Sequence, residues 1–251
     1  MAVIDNGYLR GQIGNVVNRK VGTQNIVQTK PSGKIRQTER TQAAATDFGT
    51  ASAAGSLIRR AFNSLHLGLH DREMHNRLVK RMQRVLRGNG KTAKGYMQVK
   101  DGNIKRLVDF QFNENCHLYD YVYFDPVVTL DEAGRICIQL PPLKTHCDFH
   151  LPKHCNHMVL EFAIKGFHFF SKCFRSIGSY EIELPLYGKD RQEDAEQTLV
   201  FNIMDEPFDS VLVALSIRYL FKDGTYTYLR NSETLNPAGI IAAFMLNNHS
   251  K

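Results

Sequence analysis

Six side chains of metal-ligating type crowd into THCDFHLPKHCNHM, residues 145–158: His146, Cys147, His150, His154, Cys155 and His157. Thiolate sulfur and neutral imidazole are good zinc donors, and four of them close a tetrahedron. The best-spaced set is Cys147, His150, His154 and Cys155. The spacing matches no zinc signature, two of its members are adjacent, and Pro152 separates the pairs. A catalytic metal would also need an acid or base beside it, and Asp148 is the sole nearby candidate. The simpler reading is a loop between strands. No cofactor is expected, and zinc stays as an alternative.

Other chemistry-bearing patterns fail on geometry. RGNGKT (87–92) invites a phosphate-loop reading, but Val85 stands where the first glycine of G-x-x-x-x-G-K-T must be. The stretch also follows a helical pattern rather than a strand, so backbone N–H groups are not gathered at a helix start. In HDREMH (70–75) the two histidines are five apart, which misses a shared helix face. Glu181 and Glu183 share a strand face with period two, and Glu161 sits on another predicted strand. Such carboxylates more often mark the solvent side of a strand than an acid–base pair. The chain therefore reads as non-enzymatic.

What stands out instead is GQIGNVVNRKVGTQNIVQTKP, residues 11–31, which is acid-free, basic and punctuated by glycine. It opens a strongly asymmetric chain. Residues 1–106 carry 20 Lys and Arg against 6 Asp and Glu, a balance of +14; the remainder carries 12 against 19, giving −7. Of 25 Phe and Tyr, only Tyr8, Phe48, Phe62 and Tyr96 lie in the first part. A basic, aromatic-poor part precedes an acidic, aromatic-rich one with material for a core. The arm's candidates for assembly or phosphate contact are Arg10, Gly11, Gly14, Arg19, Lys20, Lys30, Lys34, Arg36 and Arg40. Without stacking aromatics beside them, these cations suit non-specific phosphate contact or attraction between copies of opposite local charge.

These residues need elements to position them. Residues 13–17 and 25–29 read as two short strands, with Arg19, Lys20 and Gly22 at the turn. A lone hairpin is marginal in water and wants a partner surface. Residues 31–46 read as a polar linker entering a helix whose apolar stripe is marked by Phe48, Leu57, Ile58, Phe62 and Leu65. A second helix is marked by Met74, Leu78, Met82 and Val85, with Asp71 and Glu73 at its start and Gly88 or Gly90 at its end. Its other face carries Arg77, Lys80, Arg81, Arg84 and Arg87, a solvated face or a groove for an anionic partner. From residue 104 the pattern is of successive strands near 104–112, 120–129, 135–140, 157–165, 179–185, 198–203, 211–221 and 225–230. The tail, 236–246, is open between strand and helix.

The predicted fold is mixed α+β, mainly β: a basic arm (1–40), a helical segment (41–100) and an antiparallel β-sandwich of jelly-roll or immunoglobulin-like type (104–246). No run of about 18 apolar residues exists to span a membrane, and the first residues lack an export-signal pattern, so a cytoplasmic protein, or a virion component assembled there, is expected. Five cysteines, an odd number, fit free thiols.

The opening GQIGNVVNRK, the later VQTKP and the following RQTERTQAAATDF resemble the N-terminal pattern of small uncharacterised proteins of Bacteroidota and prophage-like settings. The match covers about the first fifth of the chain. Asn18 stands where the pattern usually has an aromatic. The resemblance implies a non-enzymatic, phage-derived component and marks Gly11, Gly14, Arg19, Lys20 and Lys30 as its matching arm residues. The functional expectation is a structural subunit that self-associates, or docks on a larger complex, through its arm. The alternatives are a non-specific nucleic-acid-binding protein and a zinc-binding protein.

Overall fold

In the computed structural model of the chain, two-residue turns shape the first forty residues. The structure describes residues 2–31, 33, 36–90, 92–145, 147–186, 193–194, 196–203 and 208–246. These form two compact units, Met1–Gln42 and Ala43–Lys251. Asn6 and Gly7, with φ of 49° and 79°, turn β1 (Val3–Asp5) into β2 (Tyr8–Ile13). This is the Asn-Gly geometry that suits the twist of a tight hairpin. Gly14-Asn15 leads into β3 (Val16–Val21), and Gly22-Thr23 leads into β4 (Gln24–Thr29). The result is a four-stranded antiparallel meander in chain order, not the two-stranded hairpin expected. Arg19 and Lys20 lie inside β3, paired opposite Ile26 and Asn25, and not in a turn. The poor alternation of Val16-Val17 is tolerated because neither face of this sheet forms a closed core. Asn18 is its single buried residue among those described.

α1 (Glu39–Ala61) starts in the last residues of the first unit, where the Thr38 hydroxyl accepts from the Thr41 N–H at 3.3 Å, and runs on as the first element of the second. Ala51, Ala54, Ile58 and Ala61 recur at helical spacing and are buried, whereas Phe48, expected on the same stripe, is 53% exposed, because no residue of the helix before Ala51 is buried. Gly55 brings the helix close to Leu78 and Val79 of α3 (Met74–Leu86), which follows the short α2 (Asn63–His66). Met74, Leu78, Met82 and Val85 are buried on α3, as their spacing predicts. Asp71 and Glu73 sit just ahead of this helix rather than in its first turn; the Asp71 carboxylate accepts from the Glu73 N–H at 2.9 Å. Gly88 closes the helix by donating to the Val85 carbonyl.

The expected strand at 104–112 does not form. Residues 99–101, 104–107 and 118–120 are 3₁₀ turns. The strand expected at 120–129 is confined to β5 (Val127–Leu130), with an isolated bridge from Val122 to Phe149. The remaining strands are β6 (Arg135–Leu140), β7 (Leu143–Lys144), β8 (His157–His168), β9 (Cys173–Pro185), β10 (Glu193–Asp194), β11 (Gln197–Asn202), β12 (Ser210–Asp223), β13 (Tyr226–Leu229) and β14 (Ala238–Met245). The tail is thus a strand.

The fold is mixed α+β, mainly β. In the principal sheet, β8 lies between β9 and β12, while β13 and β14 pair with successive stretches of β12. A second sheet has the order β11-β6-β5, and β7 pairs with β10. Alternation along β8 and β12 gives the principal sheet two apolar faces. Ala163, Phe167, Leu212 and Ala214 pack with the three helices. Met158, Leu160, Phe162, Val213, Leu215 and Ile217 share a core with Ile136 and Ile138 of β6. The helices and the strands, read from the sequence as consecutive segments, therefore belong to one compact unit built on a common sheet.

Candidate functional site

The meander is the first place to look, because its chemistry is exposed. Val3, Ile4, Ile13, Val21 and Val27 are each more than half exposed. A four-stranded sheet without an apolar face under cover lacks the burial that makes strands independently stable. Its cations are partly engaged locally. Arg10 pairs with Asp5 at 2.9 Å, Lys20 lies 4.0 Å above the Tyr8 ring, and Lys30 reaches the Gln12 side chain at 3.4 Å. Arg19, Arg36 and Arg40 are exposed. Gly11 lies within β2 and Gly14 in the turn after it, where they serve the backbone. Lys34 lies outside the described residues.

The basic face of α3 divides in two. Arg77 is a staple: its guanidinium pairs with Asp71 and with Glu114 (2.9 Å) and donates to the Gln111 carbonyl at 3.0 Å. Burial opposes charge on Asp71, but the Arg77 guanidinium and the N–H groups of Glu114 and Glu73 outweigh it and hold the carboxyl below its usual range. Arg81 donates to the Arg106 carbonyl at 3.2 Å. Lys80, Arg84 and Arg87 are exposed and make no ion pair among the described residues. They form the free part of the face.

The described side chains of the Cys/His segment lie apart from one another. Cys147 is exposed and Cys155 is buried, with its thiol 3.9 Å from the Lys153 carbonyl. Burial pushes the Cys155 thiol up. The His150 ring meets Tyr121 edge-on at 5.1 Å, and its carbonyl accepts from the Tyr219 hydroxyl. His154 occupies a left-handed position at φ 67°. Among the described residues no three His, Cys, Asp or Glu side chains converge on one point; His146 lies outside them.

The three strand carboxylates form a charge ladder rather than an acid–base pair. Arg218 on β12 reaches Glu181 at 2.6 Å and lies 3.7 Å from Glu161, while Lys222 pairs with Glu183. Burial pushes the Glu161 carboxyl up; Arg218 opposes the shift and Glu181 adds to it.

Two features escaped the sequence reading. A buried polar junction ties α2 to the chain ahead of β14: Asn236 donates to the carbonyls of His66 and Leu69 at 2.8 and 2.9 Å, and Asn113 to that of Glu233 at 2.8 Å. His66 itself accepts from the Gly68 N–H at Nδ1 and lies 3.3 Å from the Arg59 carbonyl through Nε2, the arrangement of a neutral ring protonated at Nε2. Second, two loops are pinned by carboxylates beside α1. Asp47 accepts from the N–H groups of Gly95 and Met97, at 2.9 and 3.3 Å, and Asp209 from that of Phe169 at 2.8 Å. The loops carry Tyr96 and Phe170, 78% and 81% exposed. No short motif signals either feature.

Among the described residues no helix is long and apolar enough to cross a membrane. Compared with known families, curated proteins and solved structures, the chain finds no match.

Proposed function

We propose that this chain is a non-enzymatic assembly subunit whose N-terminal sheet is completed by another copy of itself. The observation that carries the reading is the four-stranded meander with a single buried side chain, Asn18, and five exposed Val and Ile side chains. Such a sheet gains its missing apolar burial from a partner surface. A second copy can supply that partner through the acidic strand-bearing part of its second unit: residues 1–42 carry 7 Lys and Arg against 2 Asp and Glu, whereas residues 107–251 carry 12 against 19, although the second unit as a whole carries 25 against 23. Contacts of a basic sheet with an acidic surface are heterologous, and build rings or filaments according to whether the rotation closes. The resemblance to phage-type proteins is in keeping with a component of this kind.

The test is the mass of the full-length protein in solution by light scattering. The expected result is a multimer that dissociates in high salt. In the Ile13→Lys/Val27→Lys variant the mass falls to that of one chain while circular dichroism is unchanged. A wild-type chain that stays monomeric across the micromolar range overturns the reading. A second reading, non-specific nucleic-acid binding, draws on the exposed Lys80, Arg84 and Arg87 of α3. Its mark is a monomer or dimer that carries nucleic acid and sheds it as salt rises.

A further inference from the structure

A cleft of about 550 Å³ lies within the second unit, walled by α1 and by the two pinned loops. Tyr96 stands on one loop and Phe170 on the other, and no described Phe or Tyr is more exposed than these two. An aromatic ring left in water forgoes the large apolar burial that rings otherwise contribute. Here the loops beneath the rings are anchored through their backbones by Asp47 and Asp209, so the rings are presented on a fixed frame. Lys100 and Lys172 line the same cleft. Its one lining carboxylate, Asp209, is already engaged by the Phe169 N–H and faces His168 at 3.7 Å. Asp47 stands behind the other loop, so two carboxylates are near the two lysines, and both carboxylates are turned to backbone N–H groups. Thr50 and Gln98 add polar side chains, and Ala53 and Val99 an apolar floor.

We infer that this cleft binds a nucleotide, with its base stacked on Tyr96 or Phe170 and its phosphate held by Lys100 and Lys172. Flat rings with cations beside them are the chemistry of single-strand recognition, in which every base offers a π-face and the lysines track phosphate. The volume falls in the range of small-ligand clefts. A peptide groove would match the apolar floor equally well but would leave unexplained two rings held out beside two lysines. The site uses none of the meander residues and none of the free α3 cations, so it stands or falls apart from both readings above.

The experiment uses the full-length protein and a fluorescently labelled single-stranded oligothymidylate, read by anisotropy, with AMP, UMP and an oligoglutamate peptide as competitors. The expected result is saturable binding that weakens about 5- to 150-fold when Tyr96→Ala and Phe170→Ala are combined, the range that about 1–3 kcal/mol of stacking implies. Lys100→Glu reduces both the affinity and its salt slope. Arg84→Glu/Arg87→Glu leaves the ring dependence intact. Competition by AMP or UMP identifies a free-nucleotide site; competition by oligonucleotides alone identifies a strand site; either supports the inference. The inference is overturned if binding is absent up to millimolar nucleotide, if the double ring variant binds oligothymidylate as the wild type does, or if the oligoglutamate peptide competes as well as unlabelled oligothymidylate. Both rings are exposed, so circular dichroism of the variants is expected to be unchanged.

Discussion

The meander of residues 1–42 and the principal sheet of residues 43–251 treat the same kind of strand in opposite ways. β8 and β12 present apolar side chains to both faces, and those faces are covered, one by helices and one by the β11-β6-β5 sheet. β2, β3 and β4 are richer in β-branched residues, with 7 in 18 against 5 in 26 for β8 and β12, yet leave Ile13, Val21 and Val27 in solvent. Strand propensity is therefore not what separates the two regions; cover is. The lesson is that turn chemistry alone suffices to specify a sheet's path, while a sheet that does not cover its own faces specifies neither alternation nor stability.

The sharpest way to break the comparison is to cut equally into both regions. Phe162 on β8 is fully buried in the core between the sheets. Phe162→Ala is expected to cost about 3–5 kcal/mol, since the site is walled on both sides and collapses poorly. Urea denaturation followed by circular dichroism reads this directly. A loss below about 1 kcal/mol would mean that this core is loosely packed.

Next in size is the junction at the head of α3. Asp71 accepts from the N–H groups of Glu73 and Glu114 and pairs with Arg77, tying the helix to the chain after residue 110. Asp71→Ala leaves those donors and a half-buried guanidinium without their acceptor, a loss of about 3 kcal/mol. The sign with pH follows from the lowered carboxyl. Its stabilisation is present above the ordinary value near 3.8 and is lost as pH falls through the lower folded value. Acid titrations of wild type and Asp71→Asn, followed by near-UV circular dichroism, should therefore converge at low pH.

Legibility from sequence followed the same divide. β6, β8 and β12 were readable because burial on defined faces imposes a pattern, and the β12–β13 hairpin because Asp223-Gly224 marks its turn. The α3 stripe was readable for the same reason. Residues 104–112 misled because their apolar content serves irregular backbone laid along β14: Asp109 and Phe112 donate to the carbonyls of Ile240 and Ala238, and Ile240 donates back to that of Phe110. Those bonds come from a strand far along the chain, which no local pattern announces. In the meander the signals Asn6-Gly7 and Gly14-Asn15 were present, but adjacent valines obscured the strand between turns. The cleft was invisible for a different reason. Tyr96 belongs to the basic, aromatic-poor part and Phe170 to the acidic one, so counting aromatics by segment hides a pair made by folding.

A smaller effect tests the buried polar junction, the second unit's other way of covering backbone. Burial lowers the His66 pKa from its ordinary 6.5, with the Arg59 carbonyl bond opposing the shift and His70 reinforcing it. Neutral His66 fits the fold, so its stabilisation is full above 6.5 and declines as pH falls through the lowered folded value. The slope is at most about 1.4 kcal/mol per pH unit. Denaturation midpoints should fall more steeply in wild type than in His66→Gln as pH drops from about 7 to about 5, the range in which histidines titrate. Equal slopes would assign the pH dependence to other histidines.

The smallest expected effect is the most telling about the meander. Val27 sits on β4 opposite Asn18 and is 63% exposed. In a single chain, Val27→Ala should change denaturation by less than about 0.5 kcal/mol, as at other exposed sites. Val213→Ala on β12, fully buried, should cost several times more by the same deletion of two methyl groups. At concentrations where copies associate, the ranking should narrow, because a partner that covers Val27 makes it a core residue. Measuring both variants across a roughly hundredfold range of protein concentration separates the cases. A Val27→Ala penalty that grows with concentration shows the bare sheet acquiring its missing face from another copy, and a penalty that stays flat shows that the face remains in water.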